Sequence, residues 1–197
     1  MNLNCGQADG NLSAARFNYI YGLYFDLTRN QLLISDAGNN RIKVLDFNCK
    51  FSPLSFYQPK LLENKSLINW ILFNDKWYQI PSQKIKVNNV TTVIGNGSAT
   101  SINGPVSVAT INDPYGINIH PITQEVYIAE NEGSVSTSGN IRGWNRTSQT
   151  VRTIIYTSFT AYQPLYPDFQ NDGTCFITTS NNCCFSLFQL YTLYADG

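Results

Sequence analysis

Gly10–Ala37, GNLSAARFNYIYGLYFDLTRNQLLISDA, and Gly104–Asn131, GPVSVATINDPYGINIHPITQEVYIAEN, align without a gap at a shift of 94 residues. Gly10, Ser13, Ala15, Asn18, Tyr21, Gly22 and Ile34 recur as Gly104, Ser107, Ala109, Asn112, Tyr115, Gly116 and Ile128. Leu23 and Phe25 become Ile117 and Ile119, and Leu32 becomes Val126. Apolar residues at every second position give a strand one buried face. A unit that recurs in this way hides its apolar faces by stacking on its own copies.

Composition sets the limits. At 197 residues and 43% hydrophobic, the chain can build one substantial core or several small stacked ones. Only 13% of residues are charged and the formal net charge is zero, which argues against a face devoted to polyanions. Aromatic and β-branched residues are plentiful, Gly and Asn punctuate them, and no long amphipathic helical pattern occurs. The chain reads as all-β. The best apolar run, Ile68–Phe73, is strand-sized, well short of the roughly 18 residues a membrane helix needs. The opening MNLNCGQADG lacks the basic and apolar regions of a secretory signal, and the chain begins in the middle of a structural unit. Five cysteines cannot all pair within the chain, and no CxxC spacing points to zinc; most of them read as small buried apolar residues. Asn-x-Ser/Thr acceptors at Asn11, Asn64, Asn89, Asn96 and Asn145 favour an extracellular or cell-surface setting over a cytoplasmic one.

Halving the 94-residue shift gives units of about 47 residues within one domain, 1–197, with boundaries near 7–57, 58–97, 98–156 and 157–197. In the first unit the strands are Tyr21–Asp26, Leu32–Asp36 and Arg41–Asp46, with a fourth inside Phe51–Tyr57. The second unit reads as Ser66–Asn74, Lys76–Ile80 and Lys84–Asn88, closed by Val90–Gly95. Val151–Tyr156 closes the third, and Gly173–Gln189 carries the fourth. Ala195-Asp196-Gly197 repeats Ala8-Asp9-Gly10, so the chain stops where another unit would start. Four antiparallel strands per unit, repeated, predict a β-propeller. Gly22 and Gly116 open the innermost strand, where a missing Cβ lets neighbouring units approach closely.

Ser35–Val44, SDAGNNRIKV, resembles an NHL repeat: an Asp, a short Gly-containing turn, an Asn-His-like pair and a basic alternating strand. Asp9-Gly10, Ala15–Asn18 and Gly22-Leu23 resemble the same family's approach to its inner strand, as do Asn103-Gly104 and Ala109–Ile117. On this resemblance Gly22, Asp36, Asn39, Asn40, Arg41, Gly116 and Glu130 are the structural repeat residues. The chain departs from the pattern in several places. Asn40 stands where the family has His, Glu130 replaces Asp36, and Glu132–Ser138 is inserted. Thr178 lies near the Asp position of the last unit, with Cys183-Cys184 in place of Arg-Ile. NHL propellers commonly have six blades. The resemblance therefore implies that about four blades here are an incomplete part of a larger ring, the remaining blades lying outside this chain.

Asp36 and Arg41 read as a structural pair bracketing a tight turn. Lys43, Lys86 and Arg142 share one position on successive third strands and read as solvated rim residues. The resemblance implies a non-catalytic recognition or scaffold module that binds a protein partner through its loops. Candidate contact residues are Arg16, Tyr19, Tyr21, Asp113 and Tyr115, since Arg and aromatics anchor interfaces. For Tyr21 and Tyr115, packing at the top of the unit competes with that role. A metal-dependent propeller enzyme of lyase or hydrolase type is the alternative, but His120 is the one histidine and cannot build a multi-His site. It reads as a solvent-facing turn residue. No nucleophile elbow, phosphate loop or zincin motif occurs, so neither catalytic residue, metal nor cofactor is expected. RNA binding is a further alternative that the neutral charge disfavours.

Overall fold

A computed structural model describes residues 5–47, 70–73, 76–79, 87–131, 139–157, 163–181 and 184–190. The strands are β1 (Ile20–Asp26), β2 (Gln31–Asp36), β3 (Arg41–Phe47), β4 (Trp70–Phe73) and β5 (Lys76–Gln79). They continue with β6 (Val87–Ile94), β7 (Gly104–Pro105), β8 (Pro114–Ile119), β9 (Val126–Asn131) and β10 (Gly139–Asn145). β11 (Thr150–Thr157), β12 (Gln163–Phe169), β13 (Cys175–Asn181) and β14 (Cys184–Leu190) complete them. The fold is all-β and its sheets are antiparallel. Sheet one has the order β1-β2-β3-β6, sheet two β7-β11-β10-β9-β8, and sheet three β12-β13-β14; β4 and β5 form a separate hairpin.

The strand order corrects the expected unit boundaries. Val90–Gly95 does not close a second unit. β6 pairs with β3, with Val44 opposite Thr91 and Leu45 opposite Val90. Gly10 bridges Val90 just as Gly104 bridges Val151, so β6 is the counterpart of β11. The 94-residue shift is therefore one four-stranded unit plus an insertion between its third and fourth strands. Period-two alternation makes a strand's buried face legible but does not name its partner. The strand expected within Phe51–Tyr57 and most of Lys84–Asn88 lie outside the described residues, as do Glu132–Ser138.

Sheets one and two pack face to face. Leu33, Ile42, Val44 and Ile94 meet Ile117, Ile119, Val126 and Ile128 across a core that also holds Ala109, Ile111, Trp144 and Val151. Sheets two and three meet through Tyr127, Ala129, Ile141, Cys175 and Ile177. The edge strands β1, β8 and β12 run side by side, and glycine makes that spacing attainable. A Cβ on Gly22 would overlap the Tyr115 carbonyl, and one on Gly116 would overlap that of Leu165. In sheet three the same register position is Tyr166, opposite Thr178 as Gly22 is opposite Ser35. Its hydroxyl reaches back to donate to the Tyr21 carbonyl at 2.9 Å, tying the third sheet to the first. Among the described residues, the outer face of sheet one is only partly covered. Ala15 and Phe17 lie over Ile34, Leu45 and Val90, whereas Leu23 is 59% exposed. Its counterpart Ile117, shielded by sheet one, is 6% exposed.

Lys43 and Arg142 are not rim residues: both side chains are fully buried. Lys43 Nζ lies 3.4 Å from Asp36 and 3.3 Å from Asp9. It donates to the carbonyls of Gln7, Ala8 and Arg16 and sits 5.0 Å from the Phe17 ring centre. Arg142 repeats this arrangement on the third strand of sheet two: it pairs with Glu130 at 2.8 Å and donates to the carbonyls of Ile102 and Thr110 and to Asn103 Oδ1. Each cation thus fastens the lead-in segment to its sheet. The expected Asp36–Arg41 pair does not form: the cation of Asp36 is Lys43, and Arg41 donates to Gln7 Oε1 and to the carbonyls of Asn39 and Asn96. Lys86 lies outside the described residues. In sheet three the register positions of Asp36 and Lys43 fall on Thr179 and Phe188. Both charges are absent together, which is what burial demands, because one alone would be uncompensated.

Lys43→Met should lower stability by about 3–5 kcal/mol by stranding Asp36. The double change Asp36→Thr with Lys43→Phe should cost less than that single change, as read by urea unfolding. At the inner strand, Gly22→Ala should cost about 1–3 kcal/mol. The adjacent Leu23→Ala should stay within about 0.5 kcal/mol. Equal midpoints for these last two variants would contradict the close approach of β1 and β8.

Candidate functional site

The inner strands bring an aromatic cluster to one end of the sheets. Tyr21 stacks on Tyr115 with ring centres 4.3 Å apart and 18° between planes, and Tyr19 lies 6.5 Å from Tyr21 at 17°. Tyr19 is 70% exposed, Tyr166 45% and Tyr21 42%, so the cluster faces outward. The Asn131 and Tyr21 side chains lie beside the Tyr115 hydroxyl. Burial, with the nearby Asp113 charge, pushes this phenol up to about 12.

Tyr19 and Asp113 occupy the same repeat position, and both are left-handed, with φ of 51° and 40°. That backbone is unusual for a tyrosine and costs roughly 1–3 kcal/mol. Repeated bonds hold it in place. Ala37 N–H donates to the Tyr19 carbonyl at 3.0 Å, and Asn131 N–H to the Asp113 carbonyl at 3.2 Å. The residue just before each is held by the buried carboxylates: Asn18 N–H donates to Asp36 at 2.7 Å and Asn112 N–H to Glu130 at 2.9 Å. The ion pairs of the core therefore aim the residues at the rim. Burial raises the Glu130 carboxyl above its ordinary range, with Arg142 and Asn112 opposing. Asp113 is half-buried and raised by burial as well. Its N–H donates to Asn40 Oδ1 at 2.8 Å, joining sheets one and two. Asn39 donates to Asp36 and to the Gly6 carbonyl.

Of the expected contact residues, the structure gathers Tyr19, Tyr21, Asp113 and Tyr115. Arg16 does not join them; its guanidinium folds onto the Ser13 and Ala15 carbonyls. Tyr166, Asn40 and Asn131 belong to the cluster although sequence reasoning passed over their part in it. Tyr166 was hidden because it replaces the glycine that marks the position in the other two units.

At the opposite end, His120 corrects another expectation. It is 5% exposed and takes the place of Asp26. Asp26 Oδ1 accepts from Thr28 N–H, Thr28 Oγ1 and Arg29 N–H, closing the β1–β2 turn. His120 Nδ1 accepts from Ile122 N–H and Thr123 N–H, both at 3.2 Å, closing the β8–β9 turn. The imidazole packs among Tyr127 and Phe169, with Gly173 against its edge. Burial pushes its pKa down, with the Glu125 carboxylate opposing. Asp26 also pairs with Arg146 at 2.5 Å, a second tie between sheets one and two. Burial would raise that carboxyl, but the Thr28 hydroxyl and Arg146 outweigh it and hold it low. Among the described residues, no three His, Cys, Asp or Glu side chains converge as metal ligands. Cys175 is buried, its thiol pushed up to about 12 by burial, and Cys5 is exposed. No helix among the described residues is long and apolar enough to cross a membrane.

No family model matches the chain. It is 30% identical over 151 residues to the protein SUPPRESSOR OF QUENCHING 1, chloroplastic, of Arabidopsis thaliana, a match covering 66% of this chain and 14% of that relative. The chain thus spans about one seventh of that relative's length.

Because His120 is held neutral as an acceptor, protonation favours the unfolded chain, whose histidine has the higher pKa. This contribution to stability is present above about pH 6.5 and is lost as pH falls toward the folded-state pKa. His120→Asn keeps an acceptor without titrating. Urea unfolding between about pH 7.5 and 5.5 should show a smaller stability loss for this variant than for the wild type; parallel profiles would exclude the coupling.

Proposed function

We propose that the three sheets are consecutive blades of an NHL-type β-propeller, and that the module is a non-catalytic protein-recognition platform. The half-buried Tyr115, stacked on the exposed Tyr21, with Tyr19 and Tyr166 also exposed, carries this reading. These rings supply large contact area at low conformational cost, the hallmark of interface anchors. Their strained, hydrogen-bonded backbone presents them in a fixed arrangement, which limits the entropy lost on binding. The propeller reading is supported by the repeated register at Gly22 and Gly116 and by the side-by-side inner strands. The uncovered Leu23 face, whose counterpart on sheet two is buried by sheet one, is suited to a further blade.

The RNA reading weakens because Lys43 and Arg142, basic residues that share one position on the third strands, are buried against carboxylates. The enzyme reading gains no constellation from His120, whose Nδ1 is committed to a turn.

The tyrosine surface is tested by immobilising wild-type protein and the Tyr19→Ala/Tyr21→Ala variant at matched thermal stability. Bound proteins are then quantified by mass spectrometry. A specific partner should be retained by the wild type and depleted about tenfold or more by the variant, the effect of losing an anchor of about 1.4 kcal/mol. Retention unaffected by both substitutions, or tight salt-sensitive retention of RNA on a filter, would remove this reading.

A further inference from the structure

Four carboxylates are buried, and each holds a cation: Asp26 with Arg146, Asp36 with Lys43, Glu125 with Arg152 and Glu130 with Arg142. Asp113 breaks this pattern. It is half-buried beside the stacked tyrosines, and no cation pairs with it among the described residues. Its backbone is held by Asn40 at its own N–H and by Glu130 at the preceding one, which fixes where the side chain departs from the chain. The faces of Tyr21 and Tyr115 carry negative quadrupole density, and the one cation–ring contact among the described residues, Lys43 over Phe17, is elsewhere.

We propose that the Asp113–Tyr21–Tyr115 surface, with Tyr19 and Tyr166 at its border, receives an arginine side chain from a partner polypeptide. The inference rests on the recognition reading above and specifies its chemistry. A guanidinium is planar, so it can extend a stack of nearly parallel rings while its fork of donors meets one carboxylate; a lysine ammonium offers a point charge with no face. A neutral aromatic partner would satisfy the tyrosines but leave Asp113 without a counter-ion in a partly desolvated site, which complexation would make costlier. A polyanion is repelled by the same carboxylate. The internal repeat sharpens the assignment, since sheet one carries Tyr19 where sheet two carries Asp113: a single charge is set against several rings.

The probe is the blocked tripeptide acetyl-Gly-Arg-Gly-amide, titrated into the whole chain by NMR and compared with its citrulline analogue. Citrulline keeps the planar shape and loses the charge. The arginine peptide should bind roughly tenfold tighter than the citrulline peptide, and that preference should shrink to about twofold in Asp113→Asn. Tyr21→Ala should weaken both peptides. A readout without any variant guards against misfolding: arginine binding should fall several-fold between about 0.05 and 0.5 M salt while citrulline binding holds. Equal affinity for the two peptides, an arginine preference that survives Asp113→Asn, or no binding at about 10 mM peptide would each overturn the proposal. The recognition reading is judged separately by whether the tyrosine variant loses its protein partner. Depletion of that partner together with equal arginine and citrulline affinities would reject the cation and keep the surface.

Discussion

Burying a cation removes its hydration, and the loss is tolerable only where an opposite charge and further acceptors take the place of water. Lys43 and Arg142 impose that requirement at the same point of sheets one and two. Their solution is shared: one acid on the second strand, and carbonyls from a segment that would otherwise pass freely over the sheet. Two otherwise loose stretches thereby become fixed parts of the fold. The acids have a second duty, since Asp36 and Glu130 also accept from the N–H groups that precede Tyr19 and Asp113. The left-handed turn, the tyrosine stack and the half-buried Asp113 all follow from that anchorage.

The repeat is faithful in geometry and loose in chemistry. Lys43 faces two carboxylates, Asp36 and Asp9, whereas Arg142 faces Glu130 and the neutral Asn103. The longer Glu and the forked guanidinium reach the same acceptors with one charge fewer. At the other end of the strand Asp26 and His120 close equivalent turns with unlike acceptors, a carboxylate oxygen and an imidazole nitrogen. What is preserved is an acceptor at a place where two N–H groups need one. Sheet three lets the charges go together at Thr179 and Phe188, and exchanges the inner glycine for Tyr166, whose hydroxyl ties it to sheet one.

Much of the fold was legible beforehand because it depends on local pattern. The strands β1, β2, β3, β8, β9 and β11 follow period-two alternation and the Asn- and Gly-bearing turns between them. Gly22 and Gly116 stood out because only a residue without a Cβ suits the close approach they allow. Of the site, Tyr19, Tyr21, Asp113 and Tyr115 were legible as aromatics and a charge at one loop. Lys43 and Arg142 were misread as solvated, because a basic residue on an alternating strand carries no mark of what will cover it. His120 was misread for the same reason.

The sequence by itself determined the strand content, the repeat and which faces are apolar, since these depend on residue spacing along one chain. Tertiary structure alone decided which strand completes sheet one, which acid answers each buried cation, and that Tyr166 of the third unit meets Tyr21 of the first. Those are contacts between residues far apart in the chain. Their partners are selected by packing and by the demand that buried charges be neutralised, neither of which leaves a periodic trace in the order of residues.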